Sequence, residues 1–148
     1  MKIRIGNELD VARLMELNAE VPKAAHWTPR QWLDVFREAT PARICWIAED
    51  ESAGAAGFLV AQYGGPEWEL ENIAVLPEFQ RQGAGRALLT ALLAEMEEAG
   101  AERILLEVRA SNGTAIRFYE GNGFVKAVRR RDYYSNPVED ALLLVHMR

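Results

Sequence analysis

Apolar residues along the chain follow two different periods. Ile3 and Ile5 alternate with polar neighbours, as in a short strand. The spacing then becomes helical. Val11, Leu14, Met15 and Asn18 share one face with Leu17 beside it, Asn7 or Asp10 is available as N-cap, and Pro22 is the expected stop. Thr28-Pro29 is an N-cap and first-turn pair for a second helix carrying Trp32, Val35 and Phe36, which is expected to end at Thr40-Pro41. Three strand-like runs follow at residues 43–48, 57–62 and 68–75. Their connections, 49–53 and 63–66, are short and rich in Gly and acidic residues, which suits hairpins and an antiparallel meander. A long helix comes next, with Leu88, Leu89, Leu92, Leu93 and Met96 on its apolar face and Gly100 as its stop. Residues 103–108 read as a strand and 112–120 as a short helix closed by Asn122-Gly123. Residues 124–131 and 140–147 read as two final strands. The order β-α-α-β-β-β-α-β-α-β-β predicts an α/β (α+β) fold in one domain, residues 1–148. Its sheet is mixed and mostly antiparallel, flanked by helices rather than built from repeated βαβ units.

Composition narrows the possible functions. The chain has 148 residues, 49% hydrophobic and 26% charged, which is enough apolar content to exclude a wholly disordered chain. The net charge of −5 argues against a nucleic-acid partner, because phosphate neutralisation needs a surplus of Lys and Arg. Cys45 is the one cysteine, so neither an internal disulfide nor a cysteine-based zinc site can form, and two histidines, His26 and His146, argue against a multi-histidine metal site. No metal is expected. The first residues, Met1-Lys2-Ile3-Arg4-Ile5, lack the apolar core of a signal peptide. The longest uncharged run, 52–66, holds four glycines and falls short of the ~20 apolar residues of a membrane helix. A cytoplasmic protein without a membrane partner is the expectation.

Gln80-Arg81-Gln82-Gly83-Ala84-Gly85-Arg86 lies between a strand and the long helix. Glycines allow close backbone approach to a ligand, and the first N–H groups of a helix are unpaired and carry positive partial charge. Arg81 and Arg86 add full charges. The segment is therefore a candidate pyrophosphate site, with a plain strand-to-helix turn as the alternative. A dinucleotide-binding fingerprint fits poorly, since Leu88 stands where its third glycine belongs and the strand ends too far upstream. Further on, Glu107 ends the apolar run Ile104-Leu105-Leu106 and is a candidate general base, or an edge residue reaching water. Tyr119 reads as a core aromatic with a polar tip, and Asn112 as a helix N-cap.

Several motifs then occur together in one order: Asn72-Ile73-Ala74-Val75, the loop 80–86, Leu106-Glu107-Val108-Arg109-Ala110-Ser111-Asn112, Phe118-Tyr119 and Gly123-Phe124. In this the chain resembles the GNAT acetyltransferases, which move an acetyl group from acetyl-CoA to an amine. With Arg131-Asp132-Tyr133-Tyr134 and Glu139-Asp140-Ala141 it is similar to the N-terminal protein acetyltransferase branch. Within that branch it resembles the RimI type, whose members act on the N-terminal alanine of a ribosomal protein. The resemblance covers nearly the whole chain and is strongest over residues 69–141.

The resemblance implies that Ile73, Ala74 and Val75 line the pantetheine arm of acetyl-CoA, with the Val75 N–H donating to the thioester oxygen. It implies that Arg81, Gln82, Gly83, Ala84, Gly85 and Arg86 hold the pyrophosphate and that Asn112 contacts CoA. Glu107 would be the general base and Tyr119 the general acid. An α-amino group, of pKa about 7.7–8.0, is mostly ammonium at pH 7 and must lose a proton before it attacks. The departing thiolate, of Cys-like pKa about 8.5, needs one. Tyr133 and Tyr134 would grip the first peptide units of the substrate, and Trp27 would either wall the pocket for a small first residue or staple the second helix. Arg129-Arg130-Arg131 need not be a site, because alternate strand residues face opposite sides. Glu71 stands where this branch often has an apolar residue. Cys45 reads as a small buried apolar side chain. Two alternatives remain open: a GNAT enzyme acting on a small amine or a lysine side chain, and a non-catalytic CoA-binding domain. The expected partner is a protein N-terminus, and the chain itself is expected to be a monomer or weak dimer.

Overall fold

The computed structural model describes residues 1–38 and 41–148. The elements run β1 (Lys2–Ile5), α1 (Val11–Ala19), α2 (Pro29–Val35), β2 (Ala42–Asp50), β3 (Gly54–Tyr63), β4 (Glu67–Val75), α3 (Ala84–Ala99), β5 (Arg103–Arg109), α4 (Gly113–Gly121), β6 (Val125–Tyr134) and β7 (Glu139–Met147). Short 3-10 turns at Glu8–Asp10 and Pro77–Phe79 precede α1 and α3. The seven strands form one sheet in the order β1-β2-β3-β4-β5-β7-β6. All neighbours are antiparallel except β4 and β5, so the expected mixed, mostly antiparallel sheet and the expected element order are found.

Local signals account for the ends of most elements. The Asn7 side chain accepts from Leu9 N and Asp10 accepts from Asn7 N, so both candidate caps are used, in one capping box. Thr28 and Gln31 form a second capping box around Pro29. Gly100 ends α3 at φ 74°, a left-handed conformation open to glycine without a Cβ clash. Three expectations are corrected. The first helix ends at Ala19, before Pro22. The second ends at Val35 with Phe36 as its C-cap, and the expected stop at Thr40 falls outside the described residues. The strands of the first hairpin run longer than expected, to Asp50 and from Gly54, because the Asp50 carboxylate accepts the N–H groups of Ser52 and Ala53 and closes a tight turn.

The core lies on both faces of the sheet. Leu88, Leu89, Leu92 and Met96 of α3 pack on Trp46, Leu59, Trp68, Leu70, Ile104 and Leu106. Leu14 and Leu17 of α1, with Trp32 and Val35 of α2, pack on Cys45, Ile47, Phe58 and Val60. Cys45 is buried in this second layer, and burial pushes its thiol up to about 12, as suits an inert apolar filler.

Strand β4 changes face partway along. Trp68 and Leu70 lie in the α3 layer, yet Ala74 and Leu76 lie in the α1–α2 layer, which regular alternation forbids. The pairing with β3 shifts register between Val60 and Ala61, whose partners are Asn72 and Leu70. Glu71 is thus the extra residue of a β-bulge, and it resets the alternation so that Ile73 and Val75 turn toward α3. Gly57 sits opposite the remodelled stretch. A Cβ there would stand 2.9 Å from the Ala74 carbonyl oxygen and 3.1 Å from the Val75 side chain. Gly57→Ala is expected to force β3 and β4 apart and destabilise the fold by about 1–3 kcal/mol, read by urea denaturation. An unchanged midpoint would mean that the two strands do not need the close approach.

Candidate active site

The parallel contact between β4 and β5 consists of Glu67, Trp68 and Glu69 against Arg103, Ile104 and Leu105. Beyond the bulge the two strands part. Leu76 N donates to Ala56 O at 2.9 Å, which orients residues 76, 74 and 72 toward β3. Ile73 and Val75 consequently turn their backbone groups the other way, toward the gap in front of β5. The Val75 N–H points to the same side as its carbonyl, which accepts from the Gln80 side chain at 3.0 Å. Ala74 differs from its two neighbours. Its backbone groups face β3 and its side chain is buried, so it offers the gap no polar atom.

The loop after β4 bends through two left-handed residues into the start of α3. Gly83, the N-cap of α3, has φ 82°, and Arg81 is also left-handed at φ 66°. The Ala87 N–H closes the first helical turn on Gly83 O, leaving the N–H groups of Ala84, Gly85 and Arg86 at the open end of the helix. Arg81, Gln82, Gly83 and Arg86 are exposed, and neither arginine is in an ion pair among the described residues. Gln82 spends its side-chain amide on Glu78 O at 3.0 Å and so braces the loop. Gly85 lies where a Cβ would touch Phe118 of α4 at 3.4 Å and Val75 at 3.9 Å, which ties the loop, the β4 edge and α4 into one wall. Asn112 caps α4 by accepting from Ala115 N at 3.3 Å.

Glu107 projects from the face of β5 opposite α3, the face also occupied by Leu105 and Arg109. Its surroundings are charged rather than apolar. Arg130 Nη1 lies 3.6 Å from its carboxylate, and the nearby carboxylate holds the Tyr133 pKa above the ordinary tyrosine value. Arg130 therefore belongs to the site, whereas Arg129 on the other face pairs with Asp140 at 2.7 Å. A regular strand would send Tyr133 and Tyr134 to opposite faces. A register shift between Arg130 and Tyr134, with Asp132 left-handed at φ 51° and its N–H on Asp140, brings both rings together, 5.1 Å apart and edge to face. Tyr119 is buried between Phe118 and Phe124, and burial holds its hydroxyl protonated well above the ordinary tyrosine range. Tyr119 and Glu107 share no hydrogen bond among the described residues.

Around the α1–α2 loop, Trp27 and Glu71 are joined by Arg43, Gln62, Asn18 and Asn72, whose contacts sequence reasoning missed. Trp27 packs on Trp32 at 5.1 Å, stapling α2, and also lines a depression of about 130 Å³ with Gln31, Asp34, Arg43 and Glu71. Both of its expected uses are thus geometrically open. Glu71, the bulge residue, is gripped by Arg43 at 2.6 Å and Gln62 at 2.8 Å. Asn18 and Asn72, both buried, donate to Ala25 O at 2.7 and 3.2 Å and pin the α1–α2 loop. The repeated Glu-x-Glu of residues 67, 69 and 71 was the available signal for an acidic stripe. A larger groove of about 870 Å³ runs from Ile5 past Phe36 to Tyr63 and holds none of the candidate catalytic residues.

Taken together, the splayed β4–β5 pair, the glycine loop opening α3 and the mixed sheet define a GNAT-type acyltransferase fold. The chain belongs to the acetyltransferase (GNAT) family, whose pattern it matches over residues 10–124. More particularly, it is similar to the [ribosomal protein bS18]-alanine N-acetyltransferase of Escherichia coli K12. The two are 48% identical over 91 residues, 60% of this chain and 62% of that enzyme. This chain thus matches about three fifths of the length of that relative. The enzyme of the same name from Haemophilus ducreyi is 34% identical over 131 residues, 88% of this chain and 86% of that one. The crystal structure of the ribosomal-protein-S18-alanine N-acetyltransferase from Escherichia coli superposes with a TM-score of 0.88 at 32% identity, covering 99% of this chain and 92% of that chain.

Glu69 gives the acidic stripe a testable pH signature. Its carboxyl is shifted upward, first by partial desolvation and then by the like charges of Glu71 and Glu107, although the residue stays in contact with water. A carboxyl raised in the folded state favours folding while protonated and loses that contribution as pH rises through the folded value. Glu69→Gln is therefore expected to raise the melting temperature at pH 7, by an amount that shrinks toward zero below about pH 4. An equal gain at both pH values would show that charge is not its cause.

Proposed function

We propose that this chain transfers the acetyl group of acetyl-CoA to the N-terminal α-amino group of a protein, with an N-terminal alanine of a ribosomal protein as its substrate. The observation that carries the reading is the gap between β4 and β5, with the Val75 backbone turned toward it on one wall and Glu107 on the strand opposite. The names of the bS18-alanine N-acetyltransferases support the choice of acceptor.

Bound acetyl-CoA supplies a thioester carbonyl, and the residues act around it. Ile73 and Val75 offer strand-like hydrogen bonds to the pantetheine amides. The N–H groups of Ala84, Gly85 and Arg86 meet the pyrophosphate, with Arg81 and Arg86 adding charge. The Val75 N–H donates to the thioester oxygen, where negative charge grows. Glu107, directly or through one water, takes the proton from the α-ammonium. Arg130, 3.6 Å away, steadies its carboxylate meanwhile. Tyr119, kept protonated by burial, gives its proton to the departing thiolate. Cys45 is buried in the other layer of the core, and no covalent enzyme intermediate is needed. Tyr133 and Tyr134 border the place where a peptide would lie, and an acidic face next to them suits a basic ribosomal-protein tail.

A peptide beginning with alanine is expected to be acetylated, and the same peptide blocked at its N-terminus to be inert, by thiol-release assay and mass spectrometry. Equal rates on the two would overturn the α-amine assignment. Glu107→Gln should lower kcat at pH 7 by ~10²-fold or more, and an unchanged kcat would remove Glu107 as the base.

A further inference from the structure

We propose that Arg109 is a positioning residue that straps the β6–β7 loop onto β5 and so holds Tyr133 and Tyr134 beside Glu107. The inference rests on the reading of that loop as the peptide-binding element. The loop has little burial to locate it. Residues 135–138 are exposed, Val138 to 68%, so polar ties must set its position. Arg109 supplies most of them. Its Nη1 donates to Pro137 O at 3.2 Å and its Nη2 to Ser135 O at 3.5 Å. Its guanidinium lies 4.4 Å from the centre of the Tyr134 ring and 3.5 Å from the Glu139 carboxylate. Glu139 in turn accepts the Ser111 N–H at 2.7 Å, one residue before Asn112, so the same tie reaches the turn that opens α4.

The choice of side chain fits the task. A planar guanidinium can fork to two carbonyls while stacking on an aromatic ring, which an ammonium cannot do. Residues 107 and 109 also share one face of β5, two positions apart. The strap therefore registers the loop against the strand that carries the candidate base. A loop set by contacts on another strand would shift against the base with every adjustment of the sheet. All the recorded Arg109 contacts are to the loop or to Glu139 at its end, which leaves the guanidinium no part in the chemistry itself.

Amide hydrogen exchange on the free protein tests the strap without reference to any substrate. Arg109→Ala should raise exchange at residues 132–138 while β5 and α3 stay protected, and unchanged exchange in the loop would overturn the proposal. In steady-state kinetics with an alanine-initiated peptide, the peptide KM should rise about tenfold, the scale of one lost charge-assisted hydrogen bond. The KM for acetyl-CoA should stay within about twofold. Equal rises in both, with a lowered Tm, would mark a general structural role and overturn the proposal. Arg109→Lys keeps the charge facing Glu139 but not the fork, so it should restore only part of the loop protection and of the peptide KM. Full recovery by lysine would contradict the geometric argument. Should the unmodified protein leave the peptide unacetylated, the proposed activity fails, and the exchange measurement still decides the strap.

Discussion

Between β4 and β5 pairing extends over only three positions before a single extra residue, Glu71, turns β4 away. Much else in the molecule depends on that bulge. It bends the strand and reverses its alternation, so the small Ala74 faces α1 and α2 while Ile73 and Val75 line the gap. It also leaves a row of backbone donors and acceptors without a strand partner. Such groups are expensive to leave unsatisfied when buried, and the wall formed by Gly85, Phe118 and Val75 half encloses them. A gap of this kind calls for an extended ligand carrying amides, and a pantetheine arm has that character. The bulge is itself held, since Arg43 and Gln62 both bind the Glu71 carboxylate. The carboxylate that departs from the branch's apolar habit is thus the one whose partners keep the strand bent.

Charge is segregated about this gap. At the start of α3, Arg81 and Arg86 stand exposed beside open helix N–H groups, a locally positive spot within a chain of net charge −5. The far face carries Glu69, Glu71, Glu107 and Glu139, each interleaved with or next to an arginine except Glu69. Paired carboxylates give shape to the face, and unpaired ones give it a field. Only Glu69 is left without an arginine beside it, so the net field of this face is small and its arginine pairs mainly fix where the carboxylates stand.

Much of the scaffold could be read from the residues alone, for reasons that differ by element. The stripe of Leu88, Leu89, Leu92 and Met96 bounded by Gly100 admits only a long helix, and Thr28-Pro29 with Gln31 is a complete start signal. Bulges were the main blind spot. Alternation predicts which face a strand residue takes only while the register is regular, and nothing local in Glu69-Leu70-Glu71-Asn72 announces the shift. The same failure hid the site's geometry at β6. Arg130 stands over the Tyr133 ring and beside Glu107 where the backbone at Asp132 is left-handed, and an aspartate there is compatible with that state without demanding it. Residues whose work is backbone-local, such as Gly83 and Asn112, could be found from sequence. Those acting across three strands, such as Arg109 and Arg130, could not, because their partners are set by the fold.

The two loops that flank the acceptor side are fixed by different physics, and the difference bears on specificity. The α1–α2 loop is held from within, since Ala25 O takes bonds from two buried asparagines while Trp27 packs on Trp32. These bonds start from buried asparagine side chains, so breaking them leaves buried donors unpaired. The β6–β7 loop is held from outside, by solvent-accessible charge pairs and a cation over a ring, each of which is weak in water and sensitive to salt. Such a loop can yield to varied peptide backbones while its tyrosines stay near the base. On the proposed function, a wall tied from within for the first side chain and a compliant clamp for the residues behind it would select strictly at the N-terminus and loosely beyond it.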